Sequence, residues 1–138
     1  MQMPNITKVK KRILIVDDNP GVRESIRLSL EGIDLLEIEV FESTNVSSGL
    51  EQLQKVNPDV IILDINMPGK NGFDFLDLVN KNGYLNKTEV IMLSADDTMQ
   101  NILKAGDKGI DEFLFLGKPF NVSELQALVL SVCLPIKA

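Results

Sequence analysis

Apolar and polar positions along this chain fall into blocks of two kinds. Short runs rich in β-branched residues occur at Arg12-Ile13-Leu14-Ile15-Val16-Asp17, around Glu37 to Phe41, at Asp59-Val60-Ile61-Ile62-Leu63-Asp64, from Glu89 to Leu93 and from Phe113 to Leu116. The first, third and fourth are continuously apolar, the pattern of parallel strands covered on both faces. The second alternates, with Ile38 and Val40 set against Glu37 and Glu39, which suits the edge of a sheet. The stretches between them repeat with helical spacing. Asn19-Pro20 offers an N-cap followed by proline at the first helical position, and Val22, Ile26 and Leu30 recur every four residues. A second helix carries Val46, Leu50, Leu53 and Val56. A third starts after Pro68-Gly69 and includes Phe73, Leu76 and Val79. A fourth begins near Asp97, with Met99, Ile102 and Leu103. A fifth opens with Asn121 and Glu124, a variant of the capping box, and continues through Leu125, Leu128, Val129 and Val132.

The order is βαβαβαβαβα, with no repeat, low-complexity segment or internal linker. Such alternation predicts an α/β protein with a parallel sheet and right-handed crossovers. Five strands favour the flavodoxin-like, doubly wound order 2-1-3-4-5. Sheets of this kind bind ligands beyond the carboxyl ends of their strands, where strands 1 and 3 lie side by side. The residues just after each strand are therefore the ones that matter.

Composition narrows the classes of function. The chain has 138 residues, enough for one domain, and 44% of them are apolar, enough for a real core. Its net charge of −6 argues against nucleic-acid binding through the overall field. The small basic run Lys8, Lys10, Lys11 and Arg12 reads as a solvated approach to the first strand. No apolar run nears the roughly 20 residues of a membrane helix, and Met1 to Thr7 has no apolar signal core. The expected location is the cytoplasm. The one cysteine, Cys133, cannot form an intrachain disulfide and reads as a small core residue. Histidine is absent, which excludes histidine acid–base catalysis, histidine metal ligands and a histidine phosphodonor within the chain.

The strand ends carry the chemistry. Strand 1 ends in Asp17-Asp18, strand 3 in Asp64, strand 4 in Ser94-Ala95 and strand 5 in Lys118-Pro119. Three carboxylates would meet where strands 1 and 3 adjoin. Neighbouring negative charges are relieved by protonation or by a cation. Oxygen ligands without histidine or thiolate favour a hard ion such as Mg²⁺, which shares itself readily with phosphate. A carboxylate can itself be the nucleophile, giving an aspartyl phosphate. Lys118 and Ser94 would supply a positive charge and a hydroxyl to the equatorial oxygens of an incoming phosphoryl group. Taken singly, each residue has an ordinary reading as a cap, a turn or a solvated strand end. Those readings leave unexplained why all of them fall at the carboxyl ends of one sheet.

With these residues in place, the chain resembles the receiver domains of two-component response regulators. The resemblance runs from about Lys11 to Val132. It rests on Ile15-Val16-Asp17-Asp18, Leu63-Asp64-Ile65-Asn66-Met67-Pro68-Gly69, Leu93-Ser94-Ala95 and Gly117-Lys118-Pro119-Phe120, all four in this order. It implies residues 1–10 as an N-terminal extension, 11–134 as the receiver domain and 135–138 as a tail. It also implies roles. Asp64 would be the phosphoacceptor. Asp18 and Asp64 would bind Mg²⁺ directly, Asp17 largely through water, and Asn66 through its backbone carbonyl. Ser94, Lys118 and the Ala95 backbone N–H would contact the phosphoryl oxygens, and the Lys118–Pro119 bond would be cis.

The resemblance further implies a switch aromatic on strand 5. Counting back from Lys118 gives Phe115, counting forward from Ser94 and Gly109 gives Phe113, and Phe115 is the expected switch residue. The implied partner is a histidine kinase or histidine phosphotransfer protein acting in trans. A downstream protein would read helix 4, strand 5 and helix 5. The implied protein is a switch that catalyses its own phosphorylation and dephosphorylation, not a turnover enzyme. Asn66 and Asp96 would border the path of the water that removes the phosphoryl group. The competing class is a phosphohydrolase of the haloacid-dehalogenase type, which also forms an aspartyl phosphate. It needs a second aspartate two residues after the nucleophile, and here Asn66 follows Asp64 and Asn19 follows Asp17 at that spacing. A nucleotide-binding module is disfavoured by the lack of a glycine-rich loop after strand 1.

Overall fold

The computed structural model describes residues 8–67, 69, 71–83, 87–95, 99–108, 110 and 114–134, with only the backbone at 99. Its elements are β1 (Val9–Val16), α1 (Pro20–Glu31), β2 (Leu36–Ser43), α2 (Val46–Val56), β3 (Val60–Asp64), α3 (Gly72–Lys81), β4 (Glu89–Ser94), α4 (Met99–Asp107), β5 (Phe115–Gly117) and α5 (Val122–Cys133). The five strands form one sheet in the order β2-β1-β3-β4-β5, parallel at every pairing, as the alternation predicts.

Side-chain alternation along the central strands divides the core in two. Leu14, Val16, Ile61, Leu63 and Met92 face α2, α3 and α4. Ile13, Ile15, Ile62, Ile91 and Leu93 face α1 and α5. Every residue of β3 is buried, which is why that run reads as unbroken apolar sequence. β2 lies at the edge, in keeping with its mixed pattern.

The helix starts follow local chemistry. Asn19 caps α1 by accepting from the N–H groups of Gly21 and Val22, with Pro20 at the first helical position. Asn71 and Asp74 form a reciprocal capping box at α3. Asn121 accepts from the N–H of Glu124 at α5.

Some boundaries differ from those predicted. β1 begins at Val9, so Val9 and Lys10, assigned by the resemblance to an N-terminal extension, pair with Leu36 and Glu37. The charges explain it. Lys10 stands opposite Glu37 and Arg12 opposite Glu39, so the polar end of β1 is matched by the polar end of β2. Arg12 also reaches Glu39 at 3.7 Å and the Val56 carbonyl at 3.0 Å. The expected start of helix 4 near Asp97 lies outside the described residues, as do Pro68 and Phe113.

Candidate functional site

Four strand ends build the site. The hydrogen-bond ladder carries β1 out to Asp17, whose N–H donates to the Ser43 carbonyl at the end of β2. β3 delivers Asp64, registered against Leu93 of β4. β4 delivers Ser94, and the Lys118 N–H donates to the Ser94 carbonyl at 2.7 Å, which seats the lysine beside it. The Lys118–Pro119 bond is cis.

Asp17, Asp64 and Ser94 are buried, whereas Asp18 and Asn66 are exposed at the mouth. Lys118 Nζ lies 2.7 Å from Asp17 Oδ2 and 3.1 Å from Asp64 Oδ1, so one ammonium bridges two carboxylates. The other oxygen of Asp17, Oδ1, accepts from the Asn19 N–H at 2.9 Å. Asp17, Asp18 and Asp64 each offer a carboxylate oxygen, and these atoms lie within 4.8 Å of one another.

Electrostatics follows from this crowding. Burial and then the charge of Asp17 push the Asp64 carboxyl above its ordinary value of 3.8, against the opposing pull of Lys118 and the Asn66 backbone N–H. Burial pulls the Lys118 ammonium down. The hydrogen bond and charge of Asp17, then those of Asp64, outweigh it and hold the ammonium above 10.5. One lysine therefore leaves the trio net negative. The donor set, three carboxylates with no histidine or thiolate, fits a hard divalent ion of the Mg²⁺ type.

The Response regulator receiver domain family model matches residues 13–130. This chain belongs to that family. It is a receiver domain of two-component response regulators. It is 35% identical to the KDP operon transcriptional regulatory protein KdpE of Escherichia coli (strain K12) over 115 residues, 83% of this chain and 48% of that protein. It is 31% identical to the phosphate regulon transcriptional regulatory protein PhoB of Klebsiella pneumoniae, over 88% of this chain and 51% of that one. The receiver domain thus spans about half the length of the curated relatives it matches. Among solved structures, chemotaxis protein CheY4 of Vibrio cholerae superposes with a TM-score of 0.77 at 28% identity, covering 91% of this chain and 99% of that chain. The receiver domain of Francisella response regulator 1452 superposes with a TM-score of 0.76 at 28% identity, covering 88% and 95%. These matches support the receiver reading and give the phosphohydrolase alternative no support.

Asp17, Asp18, Asp64, Asn66, Ser94, Ala95 and Lys118 all come to this one end of the receiver sheet. Phe115 pairs with Met92 and packs half-buried against the cluster on the α3 and α4 side. Asp96 lies outside the described residues.

Two residues that the sequence patterns did not single out also shape the site. Arg23, on α1, donates from Nη1 to the Asp17 carbonyl at 2.7 Å. Gly72, the first residue of α3, donates its N–H to the Ile65 carbonyl at 2.8 Å. A Cβ at Gly72 would stand 2.4 Å from the Asp64 carbonyl oxygen, so this helix start lies directly on the Asp64 backbone. Both act on backbone atoms of the preceding loop, which leaves no periodic signature. The available hints were a cation one turn after Asn19 and a glycine at a helix start.

Proposed function

We propose that Asp64 is the phosphoacceptor of this receiver domain, and that Asp17, Asp18 and Asp64 hold Mg²⁺ for the transfer. The observation that carries this reading is the bridging of Asp17 and Asp64 by Lys118 within a carboxylate trio that remains net negative. An Asp64 carboxylate oxygen attacks phosphorus, a P–O bond forms, and the bond from phosphorus to the donor's nitrogen breaks. The electron pair leaves with the donor imidazole. Mg²⁺, when bound, neutralises charge on the phosphoryl oxygens.

The chain's own groups do the rest. Lys118 exchanges part of its carboxylate pairing for a phosphoryl oxygen. Ser94 and the Ala95 N–H supply further donors, and Asn66 offers its backbone carbonyl to the ion. The phosphodonor is a histidine on a kinase or phosphotransfer protein, since this chain has no histidine. A cleft of about 380 Å³ beside Lys118, walled by Val22, Phe120 and Val122, supports a protein as donor, because it sets an apolar surface next to the acceptor. Asn66, exposed at the mouth of the site, borders the path of the hydrolytic water, so the domain resets itself. Phosphorylation draws Ser94 towards the phosphoryl group and Phe115 inward, and a downstream protein reads α4, β5 and α5, where Leu103 is exposed. No described helix is long and apolar enough to cross a membrane, and this, with a net charge of −6, supports action in the cytoplasm without direct nucleic-acid contact.

The test is intact-mass spectrometry after incubation with acetyl phosphate and Mg²⁺. Wild type should gain one phosphoryl group, and Asp64→Asn should gain none. A full adduct on Asp64→Asn, or none on wild type, contradicts the assignment.

A further inference from the structure

Asp17 is held from several sides without Arg23. Its N–H donates to the Ser43 carbonyl, its Oδ1 accepts from Asn19 and its Oδ2 accepts from Lys118. Asp18 differs. It is exposed, and no hydrogen bond or ion pair holds its carboxylate among the described residues. What directs Asp18 is the planar peptide that joins it to Asp17. The carbonyl oxygen of that peptide receives Arg23 Nη1 at 2.7 Å. The guanidinium is itself braced. Arg23 Nε donates to Glu42 Oε1 at 3.1 Å, and Arg27 takes the other oxygen, Oε2, at 3.0 Å. Only 15% of the Arg23 side chain is exposed, so the fork is packed in place between α1 and the end of β2.

We propose that Arg23 is a positioning residue for the divalent-cation pocket: its guanidinium fixes the Asp17–Asp18 peptide and so aims the Asp18 carboxylate at Asp64. This rests on the reading that the carboxylate trio holds Mg²⁺. A planar fork is needed because one cation must reach a carbonyl and a carboxylate at once, and a lysine ammonium offers no such fixed geometry. Electrostatics and positioning predict opposite signs here. A guanidinium on the backbone of a ligand repels a dication, so removing its charge alone would tighten Mg²⁺ binding. Removing a group that orients a ligand weakens it, ordinarily by about 10- to 100-fold.

Mg²⁺ dissociation constants measured by isothermal titration calorimetry decide between them, with thermal midpoints in EDTA as a control for folding. Arg23→Ala should bind Mg²⁺ about tenfold more weakly, and Arg23→Lys should recover only part of the loss. Arg27→Ala removes a cation from the same Glu42 but touches nothing in the pocket, and it should leave affinity unchanged. If Arg23→Ala does not fold, Arg23→Met, which keeps the packed stem and removes both the charge and the donors, should show a loss of the same sign. Unchanged or tighter binding by Arg23→Ala, or an equal loss in Arg27→Ala, overturns the positioning role while leaving the Mg²⁺ reading intact. Failure of wild type to bind Mg²⁺ overturns both.

Discussion

At the scale of single residues, Asp64 is a group whose charge works against folding. Burial, then the Asp17 carboxylate, raise Asp64 above its ordinary 3.8, and Lys118 only partly offsets them. The native state therefore holds this proton more tightly than the unfolded chain does. Stability from Asp64 is complete below the unfolded value and is lost as pH rises through the higher folded value. Asp64→Asn carries no charge and escapes that loss, and Lys118 keeps its bond to Asp17. In metal-free buffer near neutral pH, the variant should be more stable than wild type by about 1 kcal/mol, the usual scale of one substitution. The advantage should vanish below 3.8, where the wild-type carboxyl is protonated. Urea unfolding at both extremes measures this, and an unstable variant at neutral pH would contradict it. Gly72 makes the opposite case. A methyl there stands 2.4 Å from the Asp64 carbonyl and 2.9 Å from Ile65 Cα, and both are backbone. Gly72→Ala should cost about 2 kcal/mol or more, in the range of overpacked sites, and should slow phosphorylation by acetyl phosphate. Wild-type stability and rate together would show that α3 simply slides away.

At the scale of elements, α3 connects the loop after Asp64 to the rest of the domain. Its start is held by the capping box of Asn71 and Asp74, with bonds of 3.0 and 2.9 Å. Its far side meets α4. Lys104 lies 4.6 Å from the centre of the Phe73 ring, and Lys108 Nζ lies 2.5 Å from Asp77 Oδ1. The Asp77 side chain is 59% exposed, so that ion pair adds little in water. The cap matters more. Asn71→Ala should cost about 1 kcal/mol, the ordinary loss of an asparagine cap. Unlike Gly72→Ala, it leaves the close contact with Asp64 untouched, so phosphorylation of the folded protein should proceed at the wild-type rate. Thermal melts and single-turnover phosphorylation compare the two neighbours directly. An equal slowing in both would place the effect in the helix as a whole rather than in the glycine contact.

At the scale of the whole molecule, the carboxylate trio joins the ends of two paired strands that lie far apart in sequence. A ligand that binds only when β1 and β3 stand side by side stabilises the entire fold through linkage. At free Mg²⁺ a hundredfold above its dissociation constant, the gain is about 2.7 kcal/mol. Scanning calorimetry with Mg²⁺ should therefore show a higher melting midpoint than with EDTA, and Asp18→Asn should lose most of the increment. An identical midpoint in both buffers would mean that the trio does not bind Mg²⁺ in the native state.

Much of this was legible in the chain alone, because burial imprints a period on local sequence. The unbroken apolar runs of β1, β3 and β4 record coverage on both faces, and the alternation at Ile38 and Val40 records an edge. Polar residues at the ends of such runs pointed to Asp17, Asp18, Asp64, Ser94 and Lys118. Tertiary structure decided what those residues do to one another. Lys118 reaches Asp17 across 101 positions, Arg23 grips a backbone carbonyl, and Gly72 rests on the peptide of Asp64. The start of β1 was decided the same way, by the glutamates of β2 that face Lys10 and Arg12. Periodicity reports whether a side chain is covered. It carries no information on which distant atom covers it, and the charge on Asp64 is governed by that second fact.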